Sequence, residues 1–271
     1  MPTTRQYTLD IDTKRYLNRV NTYRLLNGLP NIANSDAVDI DNFIIGLKDL
    51  GIWSSGEIWL MSNRYNVGAG QNICSLFDSK KTGIAVGNIV WEIDGIKSTG
   101  LGNPPPYIQL LNTKKTNYFT RNIISIFMRN ALTLEEAYLL TSNYNLGFAS
   151  PSGEGFFFST LFQWGVSLNR TTLSQTVNNN QRVCISSALN FNQAYSFRNG
   201  ASKNTTTRVA FPIADTNNIR CMAMQGGGLN DRGLNGTMSL AADFDKALDD
   251  STQLSFYNLC KATIGKTLGL P

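Results

Sequence analysis

Two carboxylates two residues apart, Glu92 and Asp94, are the closest approach in this chain to a hydrolytic site, because alternate residues of a strand share one face and two converging acids can protonate and activate. The glucanase-type spacing E-x-D-x-x-E asks for a second glutamate where this chain has Lys97, so a solvated strand face is the simpler reading. The other acid pairs, Glu135-Glu136 and Asp249-Asp250, stand where helix starts favour negative charge. The chain has no histidine, which excludes Ser-His-Asp and Cys-His nucleophile sites, histidine bases and most zinc or non-haem iron sites. Cys74, Cys184, Cys221 and Cys260 form no C-x-x-C pair and read as small core residues. Ile264-Gly265-Lys266-Thr267 lacks the earlier glycine of a phosphate loop, having Cys260 there, and Gln225-Gly226-Gly227-Gly228 is not followed by a helix start. Asp10-Ile11-Asp12 and Asp39-Ile40-Asp41 miss the calcium-loop spacing and read as helix caps. No catalytic residue, metal ligand or cofactor is assigned.

What remains is binding chemistry. Asn103-Pro104-Pro105-Pro106-Tyr107 is a stiff, exposed stretch ending in an aromatic, suited to a sugar or a neighbouring subunit. Asn103, Tyr107 and Asn179 are the candidate binding residues, the last in one of the asparagine-rich loops of a chain with thirty asparagines. Phe156-Phe157-Phe158, Leu161, Phe162 and Trp164 read as core of a large sandwich.

The elements that position these residues follow from hydrophobic period. Tyr16, Val20, Tyr23 and Leu26 recur at helical steps behind Asp10 and Asp12, closed by Asn27-Gly28. Ile40, Phe43, Ile44, Leu47 and Leu50 line a second helix that starts near Asp36 or Asp39 and stops at Gly51. After Trp53 the texture becomes that of an antiparallel sandwich, with strands at Glu57–Met61, Ile73–Phe77, Ile84–Ile93, Tyr107–Leu111, Asn122–Met128, Gly155–Leu168, Arg182–Ser187, Ala194–Phe197, Arg208–Phe211, Ile219–Met224 and Gly236–Phe244. Asn199-Gly200 is the strongest hairpin signal, and the spacing of Thr133 and Glu136 suggests a short helix within Asn130–Asn145. A closing helix is capped at Asp250 or Ser251 and carries Leu254, Tyr257, Cys260, Ile264 and Leu268. The expected division is a helical segment over 1–52 packed on a sandwich over 53–271.

A net charge of +5 spread over 24 scattered lysines and arginines lacks the concentrated stripe of a nucleic-acid binder. No run of about 18 apolar residues supports membrane insertion, and Met1–Gln6 lacks the apolar stretch of an export signal, so the N-x-T sequons at Asn169, Asn204 and Asn235 carry little weight.

In order, the phrases Leu47-Lys48-Asp49-Leu50-Gly51-Ile52-Trp53, Glu57–Met61, Asn72–Asp78, Ala194–Gly200 and the closing series Phe244, Leu248, Asp249-Asp250, Phe256-Tyr257 and Thr267-Leu268-Gly269 resemble those of phage and large-virus structural proteins that carry a concanavalin A-like, laminin-G-like sandwich. The chain departs from that pattern in the length of Asn130–Asn145 and in Ile219–Met224, where a glycine-rich strand is usual. The resemblance implies a mainly β jelly-roll sandwich with two N-terminal helices and one C-terminal helix. It also implies a virion component without transferable catalytic residues, assembled in the host cytoplasm. The expected function is tail-associated structure and adhesion, with other virion proteins, further copies of the chain and a host surface glycan as partners. Capsid decoration, a free carbohydrate-binding module and a glycan-degrading enzyme on the same fold are the alternatives.

Overall fold

In the computed structural model, which describes residues 8–77, 82–99, 106–112, 115–118, 120–130, 137–142, 154–158, 163–166, 175–176, 178–191, 193–207, 213–215, 220–222 and 233–271, both N-terminal helices form where the period placed them. Asp10 accepts the Asp12 backbone N–H at 2.9 Å and opens α1 (Ile11–Leu26), which ends at Asn27 and Gly28, the latter at φ +70°. α2 (Asn34–Asp49) starts ahead of Asp36, with Ala33 at its N-cap and no side-chain bond there, and Asp36 instead lies in the first turn. One turn of 3-10 helix (Trp53–Ser55) leads into the strands.

In chain order these are β1 (Gly56–Leu60), β2 (Asn72–Cys74), β3 (Thr82–Val86), β4 (Val90–Glu92), β5 (Gly95–Ser98), β6 (Tyr107–Leu110), β7 (Lys115–Tyr118), β8 (Arg121–Arg129), β9 (Ala137–Ser142), β10 (Glu154–Phe158), β11 (Gln163–Val166), β12 (Gln175–Thr176), β13 (Arg182–Asn190), β14 (Gln193–Arg198), β15 (Ser202–Thr207), β16 (Ile213–Asp215), β17 (Arg220–Cys221) and β18 (Gly236–Phe244). α3 (Asp250–Ala262) closes the chain, capped by Asp249 through Thr252 N–H at 2.7 Å, one residue earlier than expected.

The first sheet runs β15-β14-β13-β8-β18-β5-β4, with β1 also paired to β18, and the second runs β12-β11-β10-β9-β17-β6-β3-β2, while β16 pairs with β7. Every pairing is antiparallel. Trp59, Met61, Ile96, Phe127, Ile185 and Ala241 of the first sheet meet Ile73, Ile108, Leu110 and Cys221 of the second in one core. The other face of the first sheet, with Ile58, Leu60, Ile124, Ile126, Leu240 and Phe244, packs against Tyr16, Val20, Phe43, Ile44, Phe256 and Cys260 of the helices in a second core. The layers are therefore helices, first sheet, second sheet. A register shift between Met238 and Leu240 lets Met238 face the sandwich while Leu240 faces the helices.

Three expectations are corrected. Ile84–Ile93 is two strands in different sheets, broken at Gly87, whose φ of +82° suits only glycine. Gly155–Leu168 is likewise two strands, β10 and β11, paired Phe156 to Val166. Within Asn130–Asn145 no helix forms over Ala137–Ser142, because β9 is held between β10 and β17, and that pairing outweighs a local capping signal. The expected strand at Arg208–Phe211 and the Gln225–Gly228 loop lie outside the described residues.

Candidate functional site

The central strands of the first sheet, β8 and β18, are covered on both sides, whereas the second sheet keeps an outer face. Burial alternates along β3 and β6: Gly83, Ala85, Ile108 and Leu110 are buried while Ile84, Val86, Tyr107 and Gln109 are half-buried on the opposite face. Register places Asn72, Ile84, Gln109 and Arg220 side by side across β2, β3, β6 and β17, with Val86 opposite Tyr107 in the next row. The Arg220 guanidinium carbon sits 3.9 Å from the centroid of the Tyr107 ring, a close cation–π stack. Burial lowers the Arg220 pKa, the Tyr107 oxygen opposes that, and the guanidinium stays cationic.

Neighbouring backbone fixes this pair. Pro106 is buried, contrary to the exposed polyproline reading, and a Cβ on Gly87 would lie 3.2 Å from its Cα, so the β3–β4 link packs directly on the residue before Tyr107. On the other side Met222, fully buried, takes φ +68°, a left-handed conformation that unbranched residues adopt only when their surroundings enforce it. It ends β17 immediately after Arg220 and Cys221, with Leu234 N–H donating to its carbonyl at 2.7 Å.

Of the sequence candidates, Asn103 lies outside the described residues. Asn179 is exposed, and its Oδ1 accepts from Nε of the buried Arg129 at 2.8 Å, so it supports the end of β8. Tyr107 and Asn179 lie at the same end of the sandwich. Asn180 N–H bonds the Arg129 carbonyl, Arg129 pairs with Gly236, Gly236 with Ser98, and the neighbouring Lys97 with Val90, four residues beyond the Val86 that faces Tyr107. Sequence reasoning passed over Arg220 and Gln109; the available signal was a lone charge inside the apolar run Ile219–Met224.

The acid pair is engaged in ion pairs: β4 ends at Glu92, a turn carries Ile93 and Asp94, Glu92 lies 3.1 Å from Lys97 Nζ, and Asp94 lies 3.7 Å from Arg182, whose positive charge both carboxylates favour. The N-terminal capping acids are likewise engaged, while Glu135 and Glu136 lie outside the described residues. Lys48 Nζ is 2.7 Å from both Asp10 and Asp12, Asp41 accepts the Asp10 N–H at 2.8 Å, and Lys266 of the phosphate-loop-like phrase pairs with Asp39. Among the described residues no cluster of three or more Cys, Asp or Glu could hold a metal ion. A cavity lined by Leu60, Ser62, Asp94, Ser239, Ile264 and Leu268 measures about 10 Å³, room for a water and not for a sugar ring.

The fold is a jelly-roll β-sandwich. Trypanosoma rangeli sialidase in complex with sialic acid superposes with a TM-score of 0.59 at 11% identity, covering 93% of this chain and 38% of the sialidase. A structure of botulinum neurotoxin type C, described as entering cells through interaction with two ganglioside molecules, gives 0.58 at 12% identity over 77% of this chain and 52% of that one. The binding domain of botulinum neurotoxin DC in complex with rat synaptotagmin II gives 0.57 at 14%, over 76% and 52%. The chain thus spans about half or less of each of these proteins, and identities this low establish the sandwich alone. No protein-family model and no curated protein sequence matches the chain.

Proposed function

We propose that this protein is a non-enzymatic glycan-binding adhesion protein that reads its ligand on the outer face of the second sheet. The carrying observation is the Arg220–Tyr107 stack, fixed between Pro106 and Met222 on a face that the helices leave open. An amphipathic ring, a guanidinium and the amides of Gln109 and Asn72 supply the apolar contact and directional hydrogen bonds by which proteins hold sugars. Two of the similar folds were solved with or described as interacting with sialic acid or gangliosides, which supports the ligand class. The engagement of Glu92 by Lys97 and of Asp94 by Arg182 supports the absence of hydrolysis. The resemblance to phage and large-virus structural proteins supplies the setting, a virion in which the chain is tail-associated and held by neighbouring subunits.

Binding to an array of neutral, sialylated and sulfated glycans, followed by calorimetry on the best hit, tests this. Arg220→Ala and Tyr107→Ala should each weaken binding on the order of 10- to 100-fold with the melting temperature unchanged. Absence of any bound glycan at 100 µM chain, on the order of the weakest useful affinity, sinks the reading, as does binding that both variants leave intact. Antibody labelling of purified particles separates tail from capsid.

A further inference from the structure

Five strands lie at the edges of the two large sheets: β4 and β2 have three residues each, β12 has two, and β1, five residues paired to β18 beside β5, is bridged on its other side from Trp59 to Ser75. The fifth, β15, is six residues long, and among the described residues no strand lies beyond it. Its ladder to β14 runs from Gln193↔Thr207 to Arg198↔Ser202 without a bulge, and Ser-Lys-Asn-Thr-Thr-Thr contains neither proline nor glycine. Natural sheets guard a long regular edge with bulges, proline or an outward lysine, because such an edge templates another strand. The one charge here, Lys203, is paired at the surface of its own protomer: its Nζ lies 2.8 and 3.1 Å from the Asp250 carboxylate oxygens and 4.4 Å from the Tyr195 ring centroid. The charge that would repel an incoming strand is neutralised within its own protomer.

We propose that β15 is a seam at which two copies of this chain pair antiparallel about a twofold axis, carrying the first sheet across both protomers. For antiparallel strands the axis stands normal to the sheet, which keeps the helix layers of both copies on the same side. Opposed residues must then share a face, so the centre falls on a residue. Centred on Thr205, the register sets Lys203 against Thr207 of the second copy and Asn204 against its Thr206. No like charges meet, and the central pair is Thr on Thr, a favourable cross-strand combination. That self-complementarity favours a second copy over an unrelated strand. An edge seam of this length is smaller than a standard interface, so the dimer is weak, with a dissociation constant on the order of 100 µM. The inference is independent of the glycan face, which lies on the other sheet.

Sedimentation equilibrium from low to high micromolar concentration, with amide exchange of Lys203–Thr207 followed over the same range, tests the seam. The expected result is a mass rising toward twice 29.9 kDa together with concentration-dependent protection of those amides. Thr207 is exposed, so its variants leave the fold intact. Thr207→Lys opposes lysines twice per dimer and should weaken pairing about tenfold, whereas Thr207→Glu opposes Lys203 with a carboxylate and should strengthen it severalfold. A chain that stays monomeric throughout overturns the proposal. So does a dimer indifferent to both substitutions, or protection of β15 by a different protein's strand in place of dimerisation.

Discussion

Replacing Asp243 with asparagine should destabilise the fold by about 3–5 kcal/mol, because it leaves a buried guanidinium facing a neutral amide. Arg121 Nε lies 2.9 Å from Oδ1 and its terminal nitrogen 3.2 Å from Oδ2, a two-pronged bond between side chains that are 1% and 3% exposed. The charges sit on neighbouring strands: Asp243 is paired in register with Ile123 and Glu57, and Arg121 lies one step along β8 on the same face. The comparison is Glu92→Gln. Glu92 meets Lys97 at 3.1 Å, but with side chains 37% and 45% exposed that pair is worth no more than about 1 kcal/mol. Urea unfolding followed by tryptophan fluorescence reads both, provided the denaturant slope is unchanged. The double replacement Arg121→Met with Asp243→Leu should recover most of the loss, since two apolar groups remove the desolvation cost along with the attraction. If Asp243→Asn costs no more than Glu92→Gln, burial is not what sets the energy of this pair and the reasoning fails.

With no histidine, the melting temperature should stay flat between about pH 5.5 and 7.5. It should then drop below about pH 4. Asp10, held low by Lys48, and Asp249, held low by the Thr252 N–H, give stability that is full above the unfolded carboxylate value and lost as pH falls through their depressed ones. A steep transition near pH 6.5 in calorimetry contradicts this. Burial pushes the Cys74 thiol to about 11 and Cys184 to about 12 and raises Cys221 and Cys260 well above the usual thiol range, so all four should resist a thiol-reactive dye until denaturant is added. Rapid labelling of the native chain would show that one of them is accessible. Gly200→Ala should cost more than about 2 kcal/mol, since φ is +72° there and a Cβ would stand 2.9 Å from the Leu254 Cα and 3.0 Å from the Gln253 carbonyl. Thermal melts check it, and a change under about 1 kcal/mol would mean that α3 shifts freely over the hairpin.

The helices were legible because each has one apolar face and a nearby cap: Asp10, Gly28, Gly51 and Asp249 all lie within a residue or two of where the period ends. The Asn199-Gly200 turn was equally plain, and Asn199 takes φ 52°. What the local pattern did not carry is that Gly200 packs beneath α3. The same limit hid the break in Ile84–Ile93, a largely apolar run that crosses from one sheet to the other at Gly87-Asn88, a dipeptide whose role as a corner shows only once the partner strands are known. Thr133 and Glu136 misled for the converse reason, since a capping box is local and the partners of β9 are Phe156 and Cys221, far away in sequence. At the site, Tyr107 stood out as an aromatic beside prolines, whereas Arg220 acquires meaning only when β17 is laid against β6.

The three-layer order also determines where a ligand can be read. β8 and β18 are buried on both faces, and Ile-Ile-Ser-Ile-Phe-Met of β8 is accordingly a nearly continuous apolar run. Polar side chains on those strands, Arg121, Ser125, Thr237 and Asp243, are accordingly sealed in and serve the interior. Apart from β2, whose Cys74 joins the helical core, the second sheet borrows no helices among the described residues, so β3 and β6 keep alternate side chains half-exposed, and the stack of Arg220 on Tyr107 forms where that alternation survives. A substitution that buries this face, such as Gln109→Leu, should therefore leave the melting temperature unchanged or raise it while abolishing glycan capture. The opposite pattern, lost stability with binding retained, would place the ligand at the loop end near Asn179.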